Sequence, residues 1–167
     1  MLAARIELMQ QMPVFGAIDA AAIEFLLEPA PVIEVAAGDY FCREGDMADG
    51  MYVLERGRVT VSKSWENQRL LLRRLGPGDC FGEMALLDLF PRSASIRADE
   101  DCRAIRITSD NLLRLFEHDA VQFALIQMNI GREISRRLRH TDELLFRARM
   151  GEALEAPQRL VTRPAEL

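Results

Sequence analysis

The sequence predicts an α+β fold: helices at the N-terminus, a small antiparallel barrel or sandwich in the middle, and helices again at the C-terminus. Three observations predict it. Residues 1–30 carry apolar side chains at helical spacing, and residues 31–108 break into short β-branched and aromatic runs punctuated by glycine. From residue 109 the helical period returns.

In the first zone Leu8, Met12, Phe15, Ile18, Ile23, Leu26 and Leu27 form an apolar set interrupted at Pro13-Val14-Phe15-Gly16. Proline does not sit in a helix interior, so one helix ends before Pro13 and a second runs from about Asp19, an N-cap candidate, to Leu27. In the second zone the strand-like runs are Val32–Val35, Tyr40–Arg43, Met51–Glu55, Val59–Lys63, Leu70–Leu75, Ser93–Ala98 and Ala104–Thr108. Gly38-Asp39, Gly45-Asp46, Gly57 and Gly76-Pro77-Gly78-Asp79 fall between them as turns. Val59-Thr60-Val61-Ser62 alternates with the period of two that a half-buried strand requires. Helical breaks are few here, which argues against parallel βαβ crossovers.

In the third zone Ser109 or Asp110 caps a short helix through Glu117, and a longer helix begins near Ala120. Ile126, Ile130, Ile134, Leu138, Thr141 and Leu145 make one stripe along that helix. The stripe suits docking on the barrel, pairing with a second helix, or both. Arg132, Arg136, Arg137 and Arg139 crowd the same helix. The expected layout is one domain over residues 1–155, with helices 1–30, strands 31–108 and helices 109–155. A polar tail follows over 156–167, and Met1 and that tail read as the ends of the chain.

Composition narrows the function. The 167 residues are 49% hydrophobic and 28% charged, the pattern of a globular chain. A net charge of −5 argues against a general nucleic-acid binder. No apolar run approaches the roughly 18 residues that cross a bilayer. Met1–Met12 carries Arg5 and Glu7 within its apolar stretch and lacks a signal-peptide layout, so a cytoplasmic location is expected. Cys42, Cys80 and Cys102 are odd in number and contain no CxxC pair; His118 and His140 lie far from them. Packing cysteines in a reducing compartment are expected, with no disulfide, metal site or resident cofactor. A barrel metalloenzyme needs histidines in the strand zone, and neither histidine falls there.

The chemistry concentrates in Phe81-Gly82-Glu83-Met84-Ala85-Leu86-Leu87 and Pro91-Arg92-Ser93-Ala94-Ser95. A glycine after a strand permits close backbone approach, and the first N–H groups of a short helix are unpaired. With an arginine and a hydroxyl eight to ten residues on, they make an anion cradle. Glu83 would repel a bare phosphate, but suits a ligand that also offers hydroxyls, as a ribose does. An anion plus a diol points to a nucleotide.

This segment resembles the phosphate-binding cassette of cyclic nucleotide-binding domains, F-G-E-x-A-L-x…-P-R-[SAT]-A, with every signature position filled. The spacing matches the protein kinase A regulatory subunits, and the likeness extends from residue 10 to about 146. The resemblance implies an antiparallel β-roll, a jelly-roll-like barrel, closed by a C-terminal helical lid. It implies that Arg92 pairs with the exocyclic phosphate oxygens and that Ser93 hydrogen-bonds the phosphate. Glu83 then accepts from the ribose 2′-OH, and the N–H groups of Gly82 and Ala85 complete the cradle. Met84 and Ala94 sit in the same segments. Leu72, Phe81 and Val61 are candidates for the apolar wall near sugar and base, ordinary barrel core being the other reading of each.

Ser135-Arg136-Arg137-Leu138-Arg139-His140-Thr141-Asp142 resembles the dimer helix of the catabolite activator type. By that match Arg137 braces Glu83 or the phosphate and Thr141 hydrogen-bonds the base. Asp142 stands where that type has serine; it reads either as an acceptor for guanine N–H groups or as a solvated helix residue. Cyclic AMP is favoured and cyclic GMP stays open. The expected function is a non-enzymatic sensor whose C-terminal helices move on binding and signal to a dimer partner or a protein effector. No helix-turn-helix pattern follows the long helix, so direct DNA binding is not expected. The alternative is a β-roll kept only as an interaction or dimerisation module.

Overall fold

The computed structural model describes residues 2–66 and 68–151 together with the backbone of Arg159–Leu160. Pro13 ends α1 (Leu2–Gln10) and opens a single 3₁₀ turn, Pro13–Phe15, before α2 (Ala20–Leu27). Two antiparallel sheets follow. One has the order β1-β8-β3-β6, from Val32–Val35, Cys102–Thr108, Gly50–Arg56 and Cys80–Phe81. The other has the order β2-β7-β4-β5-β9, from Tyr40–Cys42, Ser95–Ala98, Val59–Trp65, Gln68–Leu75 and Arg159–Leu160. α3 (Ala85–Asp88) interrupts the strands, and α4 (Ser109–His118) and α5 (Ala120–Arg149) close the chain. This is the expected α+β roll with flanking helices.

The period of two sorts the strand residues into two cores. On β3 and β8, Met51, Val53, Ile105 and Ile107 face the helices, packing with Phe15, Ile23, Leu115, Ile126 and Ile130. Their alternates Tyr52, Leu54, Cys102 and Ala104 face into the roll with Val59, Val61, Phe81 and Ile96. β3 is therefore buried on both faces, which is why its sequence reads as a continuous apolar run.

Some local details differ from expectation. The cap of α4 is Thr108, not Ser109 or Asp110. Thr108 ends β8 in an extended conformation, so its hydroxyl accepts from Asn111 N–H at 3.2 Å while Asn111 Oδ1 accepts from Thr108 N–H at 2.9 Å. That capping box uses Asn where Glu or Gln is usual, and so escaped the pattern. Thr108→Ala is expected to cost about 1 kcal/mol and lower the melting temperature by roughly 2–4 °C, read by thermal unfolding. Asp19 precedes α2 but does not cap it. Its carboxylate accepts from Gln122 Nε2 at 2.9 Å and its N–H donates to Gln122 Oε1 at 3.0 Å. Asn129 Nδ2 adds a bond to Gly16 O at 2.9 Å, so three hydrogen bonds tie the N-terminal segment to α5.

Along the α5 stripe, Ile126 and Ile130 are buried and Ile134 packs against the core, but Leu138, Thr141 and Leu145 are exposed. Docking on the roll thus accounts for the first half of the helix only. The two-residue strand β6 was too short to be seen in the sequence. β9 pairs with Arg69 and Leu70 inside what was expected to be a polar tail. The rest of that tail, and the expected domain end at 155, lie outside the described residues. Among the described residues no helix is long and apolar enough to cross a membrane, and no group of three His, Cys, Asp or Glu is placed to hold a metal ion.

Candidate functional site

At the end of β6 the chain turns through Gly82, whose φ of +80° lies in the left-handed region. A Cβ there would fall 2.3 Å from Arg92 Nη1 and 3.2 Å from Gly50 O, so glycine is required both for the turn and for the close approach of the guanidinium. Glu83 follows, 2% exposed. α3 is a single turn closed by Leu89 in the left-handed conformation, after which Phe90 and Pro91 lead to Arg92. The backbone of Arg92 is clamped by the Gly45-Asp46 turn: its N–H donates to Asp46 O and its carbonyl accepts from Gly45 N–H, both at 2.9 Å.

The Arg92 side chain is 5% exposed. Its Nη1 donates to Gly82 O at 3.2 Å, its Nη2 lies 3.6 Å from Asp49 Oδ1, and its guanidinium sits 5.6 Å over the Tyr52 ring. Its Nε is buried without a partner among the described residues. Glu83 is in the complementary state. One carboxylate oxygen, Oε1, is in a close ion pair with Arg137 Nη1 from α5, and the other, Oε2, is buried without a partner among the described residues. Arg137 is steadied from its own helix by Glu133 at 3.2 Å. Hydrogen bonding from Arg136 above all, helped by the charge of Arg137, holds the Glu133 carboxyl below the usual carboxylate range.

Arg92 and Glu83 line one cavity of about 130 Å³. It also brings together Val61, Phe81, Gly82, Met84, Ala85, Ser93, Ala94 and Arg137. Three expected residues are not among its lining. Leu72 falls at a bulge, since Val61 pairs with Arg73 and Ser62 with Leu71; it is left over between them and is 55% exposed. Thr141 is exposed, and its hydroxyl donates to the carbonyl of Arg137 at 3.0 Å, within its own helix. Asp142 is exposed one residue further on.

Six lining residues were not anticipated as site residues: Asp88, Phe90 and Pro91 from the cassette loop, and Cys42, Ile96 and Arg73 from the strands. Ile96 and Cys42 come from β7 and β2, and only the pairing of these strands brings them to the cassette. Burial pushes the Cys42 thiol up, against the pull of Arg92, so it stays neutral beside the anion cradle. Cys80 is pushed up to about 12, chiefly by burial. All three cysteines are free and buried. Taken together, the cavity lining combines a guanidinium, a glycine-marked turn and the carboxylate of the residue that follows it.

Known proteins similar to this chain identify its family and fold. A cAMP-dependent protein kinase regulatory subunit of Emericella nidulans is 37% identical over 83 residues, covering 50% of this chain and 20% of that protein. A cyclic AMP receptor protein of Thermus thermophilus is 34% identical over 100 residues, covering 59% of this chain and 44% of that protein. The chain thus spans less than half the length of either relative. Among solved structures, the Thermus thermophilus catabolite activator protein superposes with a TM-score of 0.72 at 29% identity, over 80% of this chain and 61% of that one. The family profile of the cyclic nucleotide-binding domain matches residues 32–119, which takes in strands β1–β8 and the whole cassette, and this chain belongs to that family.

Proposed function

We propose that this chain is a regulatory sensor that binds a cyclic nucleotide in the 130 Å³ cavity and reports occupancy through α5. The observation that carries the reading is a pair of buried polar atoms without partners among the described residues, Arg92 Nε and Glu83 Oε2, on residues lining one cavity. Buried polar atoms cost stability when unpaired, and a ligand with an anion and a hydroxyl removes both costs. Arg92, Ser93 and the N–H groups of Gly82 and Ala85 take the phosphate; Glu83 takes the ribose 2′-OH; Val61, Phe81 and Ala94 lie along the sugar and base. Relatives named for cyclic AMP favour that nucleotide on likeness alone.

The same carboxylate meets both the ligand and Arg137 of α5, so occupancy and helix position are coupled. Pockets that take a nucleotide-sized ligand hold roughly 300 Å³ or more, so binding requires this cavity to open. The distal half of α5 exposes Leu138, Leu144, Leu145 and Phe146, and Met150 follows exposed at its C-cap, a surface for a second copy or a protein effector. The acidic balance of the chain suits a protein rather than DNA as the next partner, and three reduced cysteines suit the cytoplasm.

Calorimetric titration of nucleotide-free protein with cyclic AMP, cyclic GMP and 5′-AMP tests the reading. A cyclic form is expected to bind at micromolar Kd or better, with 5′-AMP at least about tenfold weaker because its dianionic, uncyclised phosphate fits the cradle poorly. Sedimentation of the same samples reads the assembly state with and without ligand. No binding of any of the three would leave the roll as an interaction module.

A further inference from the structure

One side of α5 faces the roll: Ile126, Ile130 and Ile134 pack on the core, and Arg137 reaches Glu83. At about 3.6 residues per turn, the opposite side carries Val121, Met128, Arg132, Ser135, Arg139 and Phe146, all of them exposed. A notch of about 440 Å³ on this side is lined by Met128, Gly131, Arg132, Ser135, Arg136 and Arg139, every one from α5 itself. The fold does not require Gly131: a Cβ added there would meet nothing within 4 Å, and its φ is not left-handed. Glycine weakens a helix interior relative to alanine, so α5 gives up helix stability at this point. With Ser135 one turn on, Gly131 leaves the floor of the notch without bulk, and another helix can approach closely.

The rim of the notch is cationic. Arg132 Nη1 donates to Asn129 Oδ1 at 2.9 Å, and Arg136 pairs with Glu133. Arg139 has no hydrogen bond or ion pair among the described residues. Glu133 is shared with Arg137 on the cavity side, so one carboxylate serves two guanidiniums. The arginines, at spacings of four and three, match carboxylates at three- and four-residue spacing on a facing helix. Val121 and Met128 on one side and Phe146 on the other extend the face with apolar contacts. A second copy fits it poorly, because it would bring the three arginines against their own counterparts.

We infer that this outward face of α5 is the docking surface for an acidic amphipathic helix of an effector protein; this rests on the reading of α5 as the element that reports occupancy. Glu133 links the two sides of the helix. A partner carboxylate that takes Arg136 leaves Glu133 to Arg137 alone, and Arg137 is the residue that Glu83 holds. Docking and nucleotide occupancy therefore act on the same ion pairs, and by linkage each changes the other's affinity by the same factor.

The test uses the full chain and a fluorescein-labelled, alanine-based helical peptide with glutamates at three- and four-residue spacing and leucines beside them. A peptide with lysines in place of the glutamates is the control, and fluorescence anisotropy reads binding. The acidic peptide is expected to bind with a Kd of about 100 µM or tighter at low salt and several-fold more weakly at high salt, the lysine peptide not at all. The double variant Arg132→Ala, Arg139→Ala weakens it at least about fivefold and leaves cyclic-nucleotide affinity within about threefold of the wild type. Gly131→Leu blocks the notch and also weakens the peptide, while melting no lower than the wild type, since its side chain meets open space and leucine favours the helix. Saturating cyclic nucleotide shifts the peptide Kd at least about threefold. Failure of the acidic peptide to bind, equal binding of the lysine peptide, or binding unchanged in both variants overturns the inference. So does sedimentation of a wild-type dimer that Gly131→Leu dissociates, which gives the face to a second copy. Peptide binding in a chain that takes neither cyclic nucleotide leaves the docking face standing and overturns the nucleotide reading; nucleotide binding without peptide binding does the reverse. A peptide Kd unmoved by a nucleotide that does bind overturns the link through Glu133.

Discussion

Arg92→Leu is expected to abolish detectable cyclic-nucleotide binding while the chain stays folded. In the proposed site the Arg92 guanidinium takes the phosphate, and hydrogen bonds to a charged partner are worth about 1.5–3 kcal/mol each. A bidentate contact therefore removes about 3–6 kcal/mol when lost, roughly two to four powers of ten in Kd. Stability responds differently. Arg92 is held by one carbonyl bond to Gly82 at 3.2 Å and a 3.6 Å approach to Asp49, which is itself half exposed and also paired with Arg106. Its removal strands no buried charge, and it eliminates a buried Nε that has no partner among the described residues. The Arg92 backbone clamp to the Gly45-Asp46 turn survives any side-chain change. Thermal unfolding should therefore show the variant melting no more than a few degrees below the wild type, or above it, as at sites where function is held at the expense of stability. Titration calorimetry reads the loss, and Arg92→Lys, with charge but no fork, should fall between the two. An unchanged Kd in Arg92→Leu would remove the phosphate from this end of the cavity.

The cassette was legible because its chemistry is contiguous: Gly82, Glu83, Arg92 and Ser93 lie within twelve positions, on one turn and the loop that follows it. What lies across the cavity was not legible in the same way. Leu72 was a wall candidate from the family resemblance, but the bulge opposite Val61-Ser62 slips the register and presents Arg73 instead. A one-residue slip exchanges the faces of a strand, and nothing in Leu70-Leu71-Leu72-Arg73-Arg74 marks where it occurs. The long helix shows the same limit. The stripe from Ile126 to Leu145 is uniform in sequence, yet the roll ends beneath Ile134, and the next residues of the stripe are exposed. Arg137 reaches the site because its long side chain spans the gap that Thr141 and Asp142, one turn further on, do not. Periodicity shows which side of a helix is apolar; where the surface beneath it stops is a tertiary fact.

Glu83→Ala is expected to erase the protein's sensitivity to the ribose 2′-hydroxyl. In the wild type, Glu83 Oε1 pairs with Arg137 and the buried Oε2 has no partner among the described residues, so a ribose hydroxyl bound there would supply the missing donor. Replacing that hydroxyl by hydrogen leaves a buried carboxylate oxygen unsatisfied, at a cost of about 1.5–3 kcal/mol, so the 2′-deoxy cyclic nucleotide should bind roughly ten- to a hundredfold more weakly. In Glu83→Ala no acceptor is left to satisfy, and the two ligands should bind within about threefold of each other. The comparison is a double-mutant cycle with one change in the ligand, so any general damage done by the substitution cancels. Nor does the substitution strand the helix arginine, because Glu133 remains 3.2 Å from Arg137. Calorimetric titrations of both proteins with both ligands give the four free energies. If Glu83→Ala still rejects the deoxy ligand as strongly as the wild type does, the ribose lies elsewhere, and the Glu83–Arg137 pair only fastens α5 to the roll.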